Sequence, residues 1–219
     1  MRSSTIEQHQ KPYLPAAGHD WLLPAYDPLV KLLGGESARR ILRDQADIRP
    51  HHRILDIGCG TGSFEVQIKC LFSGVEVVGL DPDPRALARA KAKAQRAGFF
   101  IQFDQGFSDQ LPYEDRSFDR VFSSLMFHHL EALAKEKTLS EVARVLKHDG
   151  SLHLLDFGGP ESSGFLGRLI HSSHQLKENA EGHILGLMRL AGFRNAQKVK
   201  DGKMFFGLIR TSYYRAAVQ

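Results

Sequence analysis

The feature that most constrains this chain is a short apolar run that ends directly in a glycine-rich turn. Residues 54–57 read Ile-Leu-Asp-Ile, and residues 58–62 read Gly-Cys-Gly-Thr-Gly. Because glycine has no Cβ, such a turn lets a ligand lie against the main chain, and the helix that follows offers free N–H groups. A second apolar run, residues 77–80, ends in Asp81, where a carboxylate can accept hydrogen bonds from a ribose diol. The pattern predicts a site for a nucleoside-type cofactor.

From Arg53 onward, strand-like and helix-like segments alternate, which is typical of a doubly wound α/β fold with a parallel sheet. Asp83 and Pro84 indicate a capped helix start, and Gly98 indicates the end of that helix. A longer helix around Leu139 is expected to stop near residues 149–150. Strands are predicted over residues 54–57, 76–80, 99–103, 118–125 and 151–157, and further helices over residues 36–48, 62–71 and 184–190.

The last part of the chain predicts a hairpin. Two strand-like runs, residues 196–200 and 204–210, flank Asp201 and Gly202. An Asp-Gly pair between two such runs favours a tight turn. The hairpin adds two strands that cannot both be parallel to the rest of the sheet.

The bulk composition excludes several classes of protein. A length of 219 residues suits one large domain, and a net charge of +4 without a block of basic residues and interleaved aromatics does not favour nucleic-acid binding. Two cysteines, Cys59 and Cys70, exclude a disulfide framework and a Cys-x-x-Cys metal site. Residues 1–10 are polar, and no run approaches the ~20 apolar residues of a membrane span. We therefore expect a cytoplasmic protein without a metal ion.

The glycine spacing separates two kinds of nucleoside cofactor. The dinucleotide fingerprint Gly-x-Gly-x-x-Gly needs a glycine where this chain has Ser63. The carboxylate of Asp56 would repel a pyrophosphate but suits a ligand that carries an ammonium and a sulfonium group. These residues favour S-adenosylmethionine. An NAD- or FAD-dependent oxidoreductase is the alternative, although no Tyr-x-x-x-Lys pair is evident.

Further motifs follow in order along most of the chain. They cover residues 54–62, 77–81, 109–113, 117–121, 127–130, 141–150 and 190–193. Together they resemble the class I S-adenosylmethionine-dependent methyltransferases, in the group that includes the ubiquinone and menaquinone biosynthesis methyltransferases. The resemblance implies a seven-stranded sheet in the order 3-2-1-4-5-7-6 with strand 7 antiparallel, which agrees with the hairpin expected from the sequence.

The resemblance also implies which residues hold the cofactor. The methionine part would be lined by Asp56, Gly58, Cys59, Gly60, Thr61 and Gly62. Asp81 would hold the ribose hydroxyls, Pro82 would lie beneath the adenine and Ser124 would face the sulfonium. The loop with Phe107 and Ser108 would clasp the adenine edge, but Phe107 stands where the family commonly has an acid for the adenine amino group. Losing that hydrogen bond weakens cofactor binding by about 1 kcal/mol or somewhat more.

Methyl transfer from a sulfonium depends on alignment and desolvation, and it needs a base only when the acceptor must lose a proton. His128 and His129 follow strand 4, where the acceptor would lie, and are the candidate catalytic bases. The alternative is that one of them packs against the next helix. Strand 4 is not followed by the Asn/Asp-Pro-Pro-Tyr/Phe element of enzymes that methylate exocyclic amines, which disfavours nucleic-acid bases as acceptors.

Two poorly matched segments are expected to set the choice of acceptor. Residues 1–50 would form an N-terminal helical cap, and residues 51–219 the methyltransferase domain with a lid-like insertion at about 158–185. Tyr26 of the cap, with Phe165 and Leu169 of the insertion, are candidate substrate or lid contacts. We expect a small or moderately lipophilic acceptor. Basic residues beside the apolar stripe leave open a catalytically weak, cofactor-binding module on a membrane surface, and the oligomeric state stays open too.

Overall fold

The computed structural model of the chain describes residues 34–158 and 181–218. Its helices are α1 (Gly35–Asp44), α2 (Ser63–Leu71), α3 (Pro84–Arg96), α4 (Ala132–Val145) and α5 (Glu181–Leu190), with a 3₁₀ helix at Phe127–His129. Its strands are β1 (Arg53–Ile57), β2 (Glu76–Asp81), β3 (Gln102–Gln105), β4 (Phe118–Ser124), β5 (Leu146–Phe157), β6 (Arg194–Met204) and β7 (Ile209–Ala217).

The strands form one seven-stranded sheet in the order β3-β2-β1-β4-β5-β7-β6. Strands β1 to β5 pair in parallel, and β7 lies between β5 and β6, antiparallel to both. The predicted doubly wound α/β fold and its strand order are therefore confirmed. Ile57 pairs with Leu80 on one side and with Ser123 on the other, so β1 is central. The carboxyl ends of β1, β2 and β4 meet at one edge of the sheet, which is the usual place for a ligand in such folds.

Side chains alternate across the sheet and fill two hydrophobic cores. Leu55 and Ile57 pack into the core beneath α4 and α5, whereas Ile54 packs into the core beneath α1, α2 and α3. By the same alternation Asp56 shares the face of Ile54. Helix α1 buries Ala38 and Leu42 in that second core, so the described part of the predicted cap packs directly on the sheet.

The two predicted ends of α3 are confirmed. The Asp83 side chain accepts a hydrogen bond of 2.8 Å from the Arg85 amide, and Pro84 is the first helical residue. Gly98 has φ +75°, and the following amide of Phe99 bonds back to the carbonyl of Ala94. A glycine with positive φ just past the last turn is a common way to end a helix.

Other predicted boundaries are wrong. Strand β3 is Gln102–Gln105 rather than residues 99–103, because the residues after Gly98 first complete the end of α3. Helix α4 does not run to residues 149–150: it ends at Val145, and β5 begins at Leu146, which pairs with Phe118 of β4. The first described helix, α1, stops at Asp44 rather than at residue 48.

The hairpin is confirmed, but its predicted turn is wrong. Asp201 and Gly202 lie inside β6 and pair with Ser212 and Thr211 of β7. Gly202 is required there by crowding, because a Cβ would lie 2.7 Å from Thr211 Oγ1. The turn falls at residues 205–208 instead, where three successive residues have φ of +53°, +55° and +90°.

Candidate functional site

The glycine turn ties β1 to β2 at the carboxyl edge of the sheet. Gly58, Gly60 and Gly62 have φ of +76°, +54° and +74°, values that residues other than glycine rarely adopt. The amides of Gly58 and Cys59 both donate to the carbonyl of Leu80, at 2.8 and 3.1 Å. The backbone of the turn is therefore fixed against the end of β2, and the amide of Gly62 closes the turn by donating to the carbonyl of Cys59 at 3.1 Å.

Each glycine has a different reason to lack a side chain. A Cβ at Gly62 would lie 2.7 Å from the Cβ and 2.9 Å from the Cα of Ala90, so this glycine lets α2 and α3 approach closely. A Cβ at Gly58 would collide with the side chain of Met126, which follows β4. The first collision involves backbone and the second a flexible side chain, so Gly62 is the less replaceable position for folding.

The carboxylate of Asp81 is held by main-chain amides. Its Oδ2 accepts from the amide of Gly60 at 2.8 Å, and its Oδ1 accepts from the amide of Asp83 at 2.9 Å. Burial raises the pKa of Asp81, while these two hydrogen bonds act to lower it. Each carboxylate oxygen has two lone pairs, so both can still accept a hydroxyl. This arrangement fits the predicted contact with a ribose.

Beneath the turn, Asp56 lies beside the carboxyl group of Glu65 in the first turn of α2. Both side chains are buried, and burial is the main cause that raises the pKa of each, the neighbouring Glu65 raising that of Asp56 further. Among the described residues, Asp56 Oδ1 and both carboxyl oxygens of Glu65 have no hydrogen-bond donor. Orphaned acidic oxygens under a glycine cradle fit a cationic ligand group such as an ammonium.

A cation approaches this acid pair from α1. The Nε of Arg39 donates to Ser124 Oγ at 3.2 Å, and Ser124 ends β4 beside the turn. The positive charge of Arg39 acts to lower the pKa of both Asp56 and Glu65. Ser124, predicted to face a sulfonium, thus also positions a guanidinium.

On the other face of the same edge, His128 contacts a buried carboxylate. Its Nδ1 lies 2.7 Å from Asp156 Oδ1 at the end of β5, and the amide of Phe157 donates to the same oxygen at 2.8 Å. A carboxylate only accepts, so Nδ1 carries a hydrogen, and in the neutral ring Nε2 then has the lone pair. The ring of His128 packs 4.7 Å from that of Phe157. This is an oriented imidazole with one nitrogen available as a base.

The second candidate base, His129, has a different environment. Its ring stacks on that of His128 with centroids 3.9 Å apart. Desolvation by packed neighbours, and then the neighbouring His128, lower the pKa of His129 to about 4. No carboxylate orients His129 among the described residues, so the geometry brings only His128 of the pair into a hydrogen-bonded dyad.

The remaining predicted cofactor residues lie in the turn itself or in the loops that follow β2 and β3. Thr61 Oγ1 accepts from Lys93 Nζ at 3.2 Å, and the Cys59 thiol, whose pKa is raised by burial, packs toward β2. The carbonyl of Pro82 accepts from Gln105 Nε2 at 3.1 Å. Ser108 Oγ lies 2.8 Å from Thr138 Oγ1, which fastens the loop after β3 to α4.

The Phe107 side chain is half-buried in that loop, and it supplies no polar side-chain atom. Nearby, Asp104 faces away from the turn, into a groove of about 630 Å³ beside β3. Its carboxylate accepts from Tyr113 at 3.0 Å and from Gln102 at 2.7 Å. Asp104 therefore does not take the place of the missing acid.

Tyr26, Phe165 and Leu169, the apolar stripe and most of the predicted lid lie outside the described residues. In residues 34–158 and 181–218, no group of histidine, cysteine and acidic side chains could hold a metal ion. The helices in this part of the chain are too short or too polar to cross a membrane.

Sequence reasoning missed Arg39, Glu65 and Asp156. Two of them reach the site across a long stretch of chain: Arg39 is 85 positions from Ser124, and Asp156 is 28 positions from His128. Asp156 alone had a detectable signal, because an acid at the end of a parallel strand lies at the ligand-binding edge.

The comparisons with known proteins relate this chain to methyltransferases. The model of a family described as "Methyltransferase domain" matches residues 54–150. The demethylmenaquinone methyltransferase of Deinococcus radiodurans is 35% identical over 147 residues, which cover 66% of this chain and 60% of that protein. The demethylmenaquinone methyltransferase of Thermus thermophilus is also 35% identical over 147 residues, which cover 66% of this chain and 66% of that protein. The chain thus spans less than two thirds of the length of these curated relatives.

Solved structures share the fold. The YcgJ protein from Bacillus subtilis superposes with a TM-score of 0.70 and 21% identity, over 84% of this chain and 99% of that chain. A phosphoethanolamine N-methyltransferase from Haemonchus contortus, solved with S-adenosylhomocysteine, superposes with a TM-score of 0.77 and 18% identity, over 93% of this chain and 58% of that one. At these identities the likeness concerns the fold.

Proposed function

Since this chain belongs to the class I S-adenosylmethionine-dependent methyltransferases, we propose that it binds S-adenosylmethionine and methylates a small or moderately lipophilic acceptor. The observation that carries the proposal is the glycine turn with Asp81 clamped at its side. The turn lets a ligand approach the main chain without obstruction by side chains at its three glycines, and the clamped carboxylate offers paired acceptors for a ribose diol.

In the proposed site the cofactor lies along the carboxyl edge of the sheet. Asp81 holds the ribose, the turn from Gly58 to Gly62 lies against the amino-acid tail, and Pro82 and Phe107 enclose the adenine. Phe107 contributes ring packing and backbone contacts, so we propose that the adenine is held mainly by shape. When bound, S-adenosylmethionine supplies a methyl group on a sulfonium, whose sulfur leaves with the electrons of the C–S bond.

We propose His128 as the base and Asp156 as the residue that positions it. Nε2 of His128 accepts the proton that the acceptor loses, and the acceptor's freed electron pair forms the bond to the methyl group. Asp156 holds the imidazole in one tautomer and stabilises the positive charge that it gains. A dyad of this kind is useful for a hydroxyl or an acidic carbon, because neither attacks well before it loses a proton.

The acceptor class follows from this chemistry and from the relatives. The Deinococcus radiodurans relative is named for demethylmenaquinone. We propose an acceptor with an ionisable ring hydroxyl or ring carbon, and demethylmenaquinone is the first compound to test. Phenols, lipids with hydroxyl groups and simple amines complete the panel, with amines expected to react least.

Calorimetry with S-adenosylmethionine and S-adenosylhomocysteine tests the first step. We expect both to bind, and an absence of binding at millimolar ligand would overturn the proposal. A transfer assay with a labelled methyl group then tests the acceptor panel. The His128→Ala variant serves as the control, because it should bind S-adenosylhomocysteine normally and fail to transfer.

A further inference from the structure

We propose that the hairpin tip, residues 205–208 between β6 and β7, docks on an anionic lipid bilayer. The tip reads Phe-Phe-Gly-Leu and joins Met204, the last residue of β6, to Ile209, the first residue of β7. The docking surface stands on its own observations, whereas its use in bringing a lipophilic acceptor to the site rests on the proposed function.

The hairpin tip exposes two large apolar side chains within one turn. Phe206 is 84% exposed and Leu208 is 53% exposed. The other exposed large apolar side chains in residues 34–158 and 181–218 stand singly along the chain, at Leu71, Phe100, Leu133, Leu190 and Val199. Single exposed apolar residues are ordinary on a protein surface, whereas neighbouring ones indicate contact with another apolar phase.

The backbone presents these side chains in a fixed shape. Phe205 and Phe206 have φ of +53° and +55°, a conformation that is uncommon for residues with a Cβ. Two hydrogen bonds of 3.1 Å close the turn, one of them from the amide of Gly207 to the carbonyl of Met204. Met204 is buried in the core beneath α1, and Phe205 packs against the same core. The base of the hairpin tip is thus anchored while its apolar end is exposed.

Two cations lie directly behind the apolar end. Lys203 and Arg210 are exposed, and they pair with each other across the hairpin. Like charges directly opposite each other on antiparallel strands are unfavourable, and neither residue forms an ion pair within the part of the chain that the structure describes. A Cβ at Gly207 would lie 3.9 Å from Lys203 Cδ, so the lysine stem runs along the turn. An anionic surface would relieve this repulsion.

The sequence around the hairpin tip keeps this charge uncompensated. Residues 202–219 contain three basic residues and no acidic one. Asp201 precedes them, but its carboxylate is paired with Lys198 at 3.0 Å. The local surface therefore complements a negatively charged partner.

The combination of an apolar end and a basic base fits a lipid surface. Aromatic and aliphatic side chains enter the boundary between headgroups and acyl chains, while lysine and arginine remain with anionic headgroups. Two exposed side chains offer far less than the ~800 Å² per partner of a stable protein interface. We expect the docking to be weak and reversible, as is usual for a small apolar anchor with a few cations.

The hairpin tip lies at the edge of the sheet where the acceptor is proposed to bind. Asp156, which orients His128, pairs with Ser212 of β7. Leu208 is four positions from Ser212, which is at most about 14 Å along an extended chain. A bilayer that holds the hairpin tip is therefore close to the proposed base, and a lipophilic acceptor dissolved in it reaches the site without crossing water.

The experiment measures flotation of the protein with lipid vesicles, without cofactor or acceptor. Wild type should bind vesicles of phosphatidylcholine and phosphatidylglycerol at least about fivefold more tightly than vesicles of phosphatidylcholine alone. Phe206→Ser combined with Leu208→Ser should weaken binding to the anionic vesicles at least about tenfold. Phe100→Ser, which removes a phenyl ring 91% exposed at the opposite edge of the sheet, is the matched control and should bind within about twofold of wild type.

A second pair of variants tests the cations. Lys203→Gln combined with Arg210→Gln should reduce binding to the anionic vesicles at least about fivefold and leave binding to the neutral vesicles unchanged. Arg89→Gln combined with Lys91→Gln removes the same charge from exposed positions of α3 and should have little effect. Equal losses in the two charge variants would show that only the net charge of the protein matters, and would overturn the assignment to the hairpin tip.

Other results would also overturn the inference. Wild type may not fail to float with the anionic vesicles, and Phe100→Ser must not lose as much binding as the hairpin-tip variant. A clear fall in the melting temperature of Phe206→Ser combined with Leu208→Ser would show that the tip packs within the protein. A dimer of wild type that this variant abolishes would assign the tip to a second copy of the chain. Calorimetry with S-adenosylhomocysteine keeps the two proposals apart: flotation without cofactor binding contradicts only the proposed function, and cofactor binding without flotation contradicts only the docking.

Discussion

The two faces of the sheet treat a buried carboxylate in opposite ways at the same edge. On the face of α1 and α2, Asp56 is buried beside another acid, and oxygens of both lack donors among the described residues. On the face of α4, Asp156 is equally buried but accepts from His128 and from the amide of Phe157. The first arrangement leaves acidic oxygens that a cation can satisfy, whereas in the second the carboxylate is satisfied by donors of the protein.

This difference suits the Asp56–Glu65 pair to binding a ligand and the His128–Asp156 pair to proton transfer. A site that lacks a cation is stabilised by a ligand that brings one, so the acid pair is suited to hold a cofactor. A satisfied carboxylate that orients an imidazole does not need a ligand for its own stability, so it is suited to accept a proton in many turnovers. Variants on the two faces should therefore change different measured quantities.

The largest expected effect is on the His128 face. His128→Ala should lower the rate of methyl transfer by about 100-fold or more, the usual contribution of a positioned general base. The affinity for S-adenosylhomocysteine should stay within about twofold of wild type, since His128 lies on the other face. His183→Ala, at an exposed position of α5, is the control for loss of a histidine. Equal losses of rate and affinity would remove the distinction between the faces.

The second effect is on stability, and it concerns the close packing of α2 and α3 at Gly62, on the face of the sheet where the cofactor is proposed to bind. Gly62→Ala should lower the free energy of unfolding by about 3 kcal/mol, because a Cβ there meets the backbone of Ala90 and φ is positive. Gly98→Ala is the matched control: its φ is +75° and nothing lies within 4 Å of its added Cβ. Gly98→Ala should lower the free energy of unfolding by only about 1 kcal/mol. Urea unfolding measures both, and equal losses would show that crowding at Gly62 is relieved.

The third effect is on the affinity of the proposed ribose contact with Asp81. Asp81→Ala should weaken S-adenosylhomocysteine at least about tenfold, since it removes the acceptors for the diol and releases the amide of Gly60. Asp104→Ala, which alters only the groove beside β3, should leave the affinity unchanged. Calorimetry gives both values. Unchanged affinity in Asp81→Ala would refute the assigned role.

The smallest effect is the pH dependence of stability without ligand. Burial raises the pKa of Asp56, so the folded protein keeps a proton that the unfolded chain releases. The free energy of unfolding therefore falls as pH rises from the ordinary carboxyl value to the raised pKa, by up to about 1.4 kcal/mol per pH unit for one proton. Asp56→Asn should make this fall shallower, and the exposed Asp149→Asn should not. Parallel curves for Asp56→Asn and wild type would show that Asp56 is charged when folded.

The parts of the fold that the sequence predicts are those determined by neighbours in the chain. The glycine turn, the Asp83 cap and the Gly98 helix end each depend on the conformations open to one or two residues, and all three are confirmed. The Asp201-Gly202 turn fails for the opposite reason. Gly202 is needed because Thr211 and Tyr213 crowd it across the sheet, and no local rule reports that contact.

The site divides in the same way. Asp81 is predicted from its position directly after an apolar run, and one of its two hydrogen bonds comes from the nearby amide of Asp83. The contacts of Arg39 with Ser124 and of His128 with Asp156 arise only when distant segments meet, so sequence reasoning named at most one partner of each. It also treated His128 and His129 alike, since only folding decides which ring meets a carboxylate.

The position of β7 has a consequence for synthesis. This strand is inserted between β5 and β6, and its adjacent tyrosines, Tyr213 and Tyr214, enter the two different cores. While residues 209–217 are still within the ribosome, β5 has an open edge and each core lacks a large aromatic ring. The nascent chain must therefore wait, with apolar surface unburied, until these residues emerge, and a stop codon before them would leave a protein that both chaperones and proteases recognise.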